Sequence, residues 1–134
     1  MAVVTRVSTA SMDTSTGMLA GQITGLIAGE DLDAVAPCYI KTSDGKLYMS
    51  NGTAATEPAE FVGFTPHARV EGEPCTVFNI GARFSYGSGM SRGALLYIFT
   101  TAGTLGDAAT TGGVNPVARV VTATDIVCIR AAEV

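Results

Sequence analysis

A nine-residue segment of this chain occurs twice, with a constant spacing between matching positions. The first copy runs from Tyr39 to Leu47 and the second from Tyr97 to Leu105, so matching residues lie 58 positions apart. Tyrosine, isoleucine, threonine, glycine and leucine are identical in the two copies. In the first copy Asp44-Gly45 separates two apolar runs, and this dipeptide readily adopts the positive φ angles of a tight hairpin turn. The repeat therefore predicts the same β-hairpin in two places.

Each hairpin is followed by a stretch rich in Thr and Ala and then by two further apolar runs. Two copies are too few for a solenoid, so we predict one four-strand module used twice. The fold class is all-β: a small β-barrel or sandwich with an extended N-terminal arm. The expected strands lie near 35–42, 46–50, 61–65 and 74–80 in the first module, with a further strand at 82–86, and near 94–100, 103–106, 116–121 and 125–131 in the second.

The predicted domain organisation is an N-terminal arm followed by a single β domain. The arm spans residues 1–28 and the β domain residues 29–134, with modules at about 29–86 and 90–131. Helix content should be low. One short helix is expected at most, within 54–61, where Pro58 limits it to about a turn.

Residues 1–28 differ from the rest: Ser, Thr and small residues dominate residues 3–17, which show neither helical spacing nor turn-bounded alternation. Two interpretations are open: a disordered terminus, or an extended arm that becomes ordered on a neighbouring protein. About 25 extended residues would reach roughly 80 Å, far enough to contact another chain. In the second interpretation the candidate capsid or subunit contacts are Val3, Val4, Arg6, Val7, Met12, Met18 and Leu19.

Charged residues are scarce, at 15% of the chain, while apolar residues make up 47%. Typical domains carry about 25% charged residues. So few charges leave much of the surface neutral or apolar, which favours a surface that a partner covers. The net charge is −4 and no Lys/Arg cluster occurs, so nucleic acid is excluded as a main partner.

The sequence pattern predicts neither export nor membrane insertion. Residues 1–6 lack a basic start followed by an apolar block, and no run approaches the roughly 18 apolar residues of a membrane span. The three cysteines are an odd number with no close pair, which favours synthesis in a reducing, intracellular compartment. A membrane is therefore not among the predicted partners.

The only histidine, His67, gives the one candidate for nucleophilic catalysis. In a cysteine hydrolase His67 would act as the base and Cys75 as the nucleophile, oriented by Asp44 or Asp125. The competing interpretation is a loop histidine. We favour it because no flanking motif accompanies the pair.

The other chemistry-bearing residues fit no site. Cys38, Cys75 and Cys128 lie in apolar strands as small hydrophobes, and they are too widely spaced for a zinc site. The acidic run 30–33 stops short of a calcium loop and indicates a solvated turn. The glycine-rich stretches 87–93 and 112–113 lack the Gly-Lys ending of a phosphate loop. We therefore predict no catalytic residue, no cofactor and no metal.

The turn and strand motifs of residues 29–129 resemble the small capsid decoration (cement) proteins of tailed bacteriophages. The residues that carry the resemblance are short motifs spread over most of the chain. They are Gly29-Glu30-Asp31, Tyr39-Ile40, Asp44-Gly45-Lys46, Phe61-Val62-Gly63-Phe64, Glu71-Gly72-Glu73, Gly81, Gly93-Ala94-Leu95-Leu96-Tyr97-Ile98 and Gly103-Thr104-Leu105.

The resemblance implies a structural protein that is not an enzyme. Such a protein binds the outer surface of a phage head and stabilises the capsid by bridging major capsid proteins. It implies a homo-oligomer, with a trimer favoured over a dimer. It also implies location on the outer capsid surface of the virion, after synthesis in the host cytoplasm.

The alternative function is a receptor- or glycan-binding module of a virion fibre or tail. That function predicts an exposed pocket lined by Tyr86, Tyr97 or Phe99 with polar groups beside it.

Overall fold

The computed structural model describes residues 3–10 and 20–131, which form two antiparallel β-sheets. We call the five-stranded sheet, of order β2-β6-β5-β3-β4, the first sheet. The second sheet has six strands in the order β1-β9-β8-β10-β11-β7. The strands are β1 Val3–Val4, β2 Gln22–Ile27, β3 Pro37–Ile40, β4 Leu47–Met49, β5 Gly63–Phe64, β6 Pro74–Phe78, β7 Arg83–Ser85, β8 Leu95–Ile98, β9 Leu105–Gly106, β10 Ala118–Val120 and β11 Asp125–Cys128.

The predicted all-β class is confirmed, and of the two predicted architectures the fold is the sandwich, since the sheets do not close into a barrel. All nine predicted strand regions contain an observed strand. In the described part of the chain the only helical element is a 3-10 turn at Glu57–Ala59, within the region where Pro58 was expected to limit helix to a turn.

The two sheets are built from one repeated unit, and strand pairing follows the repeat. Residues that correspond in the repeat form the same cross-strand pairs. Ile40 pairs with Leu47 in the first sheet, and Ile98 pairs with Leu105 in the second. The glycine of each turn adopts a positive φ, 70° at Gly45 and 77° at Gly103. Because partners on both strands are shifted by the same 58 positions, the hairpins have the same register.

The repeated unit has five strands, not the predicted four. The order β2-β6-β5-β3-β4 of the first sheet matches β7-β11-β10-β8-β9 of the second. Strand β2 therefore opens the first unit although it falls within the predicted arm 1–28, and β7 opens the second unit although 82–86 was assigned to the first module. A bulge between Ile23 and Leu26, with Gly25 at φ 78°, breaks the alternation of β2 and hides its strand pattern in the sequence.

The two units stack front to back. We call the front of each sheet the face that carries Cys38 in the first sheet and the matching Leu96 in the second. The front of the first sheet is covered by the chain's own segment 28–36, through Ala28, Leu32 and Ala36. The front of the second sheet belongs to the larger core, which lies between the sheets.

The back of the first sheet packs on the front of the second. Phe64 and Phe78 pair across β5 and β6 on this back face, and both belong to the core between the sheets. The rings of Phe64 and Phe84, from different sheets, lie 4.9 Å apart between centroids. Tilted aromatic contacts of this kind, here with 58° between the ring planes, add to the hydrophobic stabilisation of the interface between the layers. The back of the second sheet therefore forms an outer surface of the sandwich.

Candidate functional site

The described part of the predicted arm is fastened to the body of its own chain. Val3 and Val4 form β1, which pairs with Gly106 and Leu105 of β9. The backbone N–H of Val7 donates to the carbonyl oxygen of Tyr86 at 2.9 Å. Val3 is 44% exposed, whereas Val4 packs against the core between the sheets. Met12, Met18 and Leu19, the other predicted apolar contacts, lie outside the described residues.

Arg6 anchors the N-terminal segment through hydrogen bonds to residues 33–34 and to the β8–β9 turn. Its Nη2 donates to Asp33 Oδ2 at 2.8 Å in an ion pair, and its Nη1 donates to the carbonyl oxygen of Ala34 at 2.7 Å. A longer bond of 3.4 Å reaches the carbonyl oxygen of Gly103 in the β8–β9 turn. Because the Arg6 side chain is only 18% exposed, these charge-assisted bonds are partly shielded from water.

The N-terminal segment forms one wall of a groove of about 370 Å³. Residues 88–91, from the loop before β8, also line the groove, as do Leu96 and Val120 of the second sheet. The lining is mixed, with apolar side chains beside serine and threonine hydroxyls. The volume falls in the range of small-molecule sites, about 300–1,000 Å³.

His67 and Cys75 line a second, smaller cavity of about 190 Å³, together with Arg69. Within the described residues no hydrogen bond joins the two side chains. Burial raises the pKa of the Cys75 thiol, an effect that the positive charge of Arg69 partly offsets. The thiol is therefore protonated at neutral pH, whereas a nucleophilic cysteine needs its thiolate.

The two carboxylates considered as orienting groups for His67 lie elsewhere. Asp44, in the β3–β4 turn, accepts a hydrogen bond from the hydroxyl of Tyr48. Asp125, in β11, forms an ion pair with Arg83 at 3.3 Å. The residues proposed for a cysteine hydrolase therefore do not assemble into one site.

The three cysteines are buried thiols without disulfide bonds, as their apolar strand positions predicted. Burial raises the pKa of Cys128 to about 12 and that of Cys38 well above its usual value. The described residues contain no group of three or more His, Cys, Asp or Glu side chains placed to hold a metal ion.

The carboxylates of the acidic run are engaged with the protein itself. Glu30 Oε2 accepts from the backbone N–H of Met49 at 2.9 Å, and Asp31 Oδ1 accepts from that of Glu71 at 3.0 Å. With the ion pair between Asp33 and Arg6, all three side chains stabilise the segment that covers the first sheet. Glu30 also occupies part of the edge of β4, beside the bond from the Gly29 N–H to the Leu47 carbonyl oxygen.

The aromatic residues expected to line a glycan pocket do not line the cavities described above. Tyr86 is fully buried and its hydroxyl oxygen accepts from the N–H of Leu105 at 3.2 Å. Tyr97 is half-buried in β8 and Phe99 follows that strand. None of the three lines either of the two cavities above.

Two arginines that are isolated in the sequence share one face of the second sheet. Arg119 pairs with Leu95 on one side and with Val127 on the other, and Val127 pairs in turn with Arg83. Directly opposed residues of antiparallel strands point to the same face, so these four side chains form one row on the back of the sheet. Both arginines are exposed, and Leu95 and Val127 are half-buried. The sequence held no local signal for this row, because strand register alone brings its members together.

No helix in residues 3–10 and 20–131 is both long enough and apolar enough to cross a membrane. The chain matches no known family model, and no curated protein shows significant similarity to it.

Proposed function

We propose that this protein is a virion structural protein that binds the outer surface of a phage head and stabilises the capsid by bridging major capsid proteins. The observation that carries the proposal is the place of β1 at the end of the second sheet, with β9 as its neighbour in the strand order. A terminal strand presents backbone N–H and C=O groups that a strand of another chain can pair with.

The four candidate contacts that the structure describes lie in β1 (Val3 and Val4) or shortly after it (Arg6 and Val7). Arg6 and Val7 tie the segment to the body, which reduces the conformational entropy that binding would cost. Val3 adds an exposed apolar side chain beside a backbone edge with which no strand of the described residues pairs. The contact surface is therefore preorganised for adding a strand.

A capsid decoration protein needs a contact surface and no reactive side chain. The small number of charged residues is compatible with such a surface, and the cysteines are buried and protonated. In a homo-oligomer, with a trimer favoured, several weak edge contacts act together. Effective concentrations of order millimolar then turn modest single contacts into lasting attachment.

The test is co-sedimentation of the purified protein with undecorated phage heads. We expect binding that saturates at a fixed number of copies per head. Val3→Asp places a charge at the edge and should reduce occupancy strongly. The matched control is Val114→Asp, the same change at an exposed valine in the loop between β9 and β10, which should leave occupancy unchanged.

Failure to co-sediment with heads would contradict the proposed function. Equal occupancy for Val3→Asp and the unaltered chain would contradict the role of β1. Binding to glycans without binding to heads would instead support the receptor-binding alternative.

A further inference from the structure

The back of the second sheet is an open face with the composition of a protein interface. Its central row alternates Leu95, Arg119, Val127 and Arg83, and Tyr97 lies two residues beyond Leu95 on the same face of β8. Arginine and tyrosine are enriched in interfaces, and half-buried aliphatic side chains between them provide apolar area. On the corresponding back of the first sheet, the matching side chains Phe64 and Phe78 are buried within the chain, at 0% and 5% exposed.

The opposite side of the sandwich is acidic. The part of segment 28–36 over the front of the first sheet carries Glu30 and Asp31, and Glu71 lies against Asp31 through its backbone N–H. Arg69, whose backbone pairs with Leu32, reduces this charge without cancelling it.

The two halves of the chain also differ in net charge. Residues 20–81 hold eight acidic and three basic side chains, whereas residues 82–131 hold two acidic and four basic ones. On the back face Asp125 compensates only one of Arg83 and Arg119. One molecule therefore presents an acidic front and a basic, partly apolar back on opposite sides.

We propose that a second copy of this chain binds the back of the second sheet through its acidic front, so that copies associate head to tail. Back-on-front stacking already occurs once inside the molecule, between the first sheet and the second. The same order of layers continues when the open back of one copy meets the covered front of the next, and opposite charges face each other. When two copies bind through two different faces, the pair still has one free front and one free back, so a further copy can bind. Such copies form a closed ring if the rotation that relates neighbouring copies returns to the first copy.

The proposal is tested by reversing one charge on each face and following association by sedimentation velocity. The unaltered chain should associate with increasing concentration and dissociate as salt screens the contact. Arg119→Glu disables the back and Asp31→Lys disables the front, so each variant alone should associate at least about tenfold more weakly. An equimolar mixture should associate again, because it joins an intact front to an intact back.

Two further variants keep the result interpretable. Glu71→Lys changes the front through an exposed side chain, and it repeats the Asp31→Lys test if loss of the Asp31 bond disturbs the segment. Lys46→Glu makes a similar charge reversal to Arg119→Glu in the β3–β4 turn and should leave association unchanged.

Three outcomes would overturn the proposal. The first is an unaltered chain that stays monomeric at every concentration and at low salt. The second is association that Arg119→Glu abolishes while both front variants retain it, which would indicate a symmetric back-to-back contact. The third is a monomer whose Arg119→Glu variant loses binding to phage heads, which would assign the back face to an acidic surface of another protein. Failure to bind heads, by itself, would leave the head-to-tail contact standing.

Discussion

Arg119 occupies in the second sheet the position that Phe64 occupies in the first. Phe64 pairs with Pro37 across β5 and β3, and Arg119 pairs with Leu95 across β10 and β8, in the same register. Phe64 is completely buried and Arg119 is exposed. One position of the repeat therefore serves as an interior contact in one copy and as surface in the other.

This difference predicts opposite responses to the same truncation. Phe64→Ala removes a ring from the core between the sheets and should lower the free energy of unfolding by about 3–5 kcal/mol. Arg119→Ala should change it by no more than about 0.5 kcal/mol, because the side chain is exposed. Urea denaturation followed by circular dichroism measures both. Similar losses for the two variants would contradict the front-to-back arrangement.

Arg6→Ala should loosen the N-terminal segment without unfolding the body. The change removes the ion pair with Asp33 and the bond to the Ala34 carbonyl oxygen, and we expect a loss of about 1 kcal/mol. Hydrogen exchange should report faster exchange at the Val7 amide, which bonds to Tyr86, and unchanged exchange in β11. Arg92→Ala, at an exposed arginine, is the control and should alter neither. Unchanged exchange at Val7 in Arg6→Ala would show that Arg6 does not anchor the segment.

The two hairpin glycines give a paired test of the repeat. Both adopt positive φ, so alanine at Gly45 or Gly103 should cost roughly 1–2 kcal/mol of unfolding free energy through backbone strain. The added methyl group at Gly45 meets no atom within 4 Å, whereas at Gly103 it would lie 2.5 Å from Met49 Sδ. Gly103→Ala should therefore be the more destabilising variant in thermal denaturation. The reverse order would argue against the observed packing of the second hairpin on Met49.

Alkaline pH should destabilise the fold through its buried thiols. Burial raises the pKa of Cys128 from 9.0 to about 12, so above pH 9 the unfolded chain releases a proton that the folded chain retains. The stabilisation is complete below pH 9 and is lost as the pH rises towards 12. Urea midpoints measured across this range should fall less steeply in Cys128→Ala than in the unaltered chain. Cys75→Ala should reduce the slope less, because Cys75 is the less deeply buried thiol of the two.

The sequence predicted the hairpins well because their turns depend on local chemistry. Asp44-Gly45 favours a tight turn through its own backbone preferences, and the 58-residue repeat assigns the same turn to Gly103. Strand β2 escaped prediction because its bulge at Gly25 interrupts the period of two that marks a strand. Strand β1 has only two residues, too few to show any period.

The candidate surfaces could be predicted only in part. Val3, Val4, Arg6 and Val7 were selected for their position in an unusual segment, but their partners on β9, Asp33 and Tyr86 are distant in sequence. The row that joins Arg83 to Arg119 through Val127 depends on the register of three strands. Register is a tertiary property, and no local pattern of these residues contains it.

The docking of the N-terminal segment also sets an order of events during synthesis. Arg6 and the Gly103 carbonyl that it contacts are 97 residues apart in the chain, and β9 begins two residues after Gly103. A ribosome releases Val3 and Val4 long before it has made the strand with which they pair, and contacts so distant in sequence form late in folding. Val3 and Val4 therefore join the second sheet only after translation has passed β9.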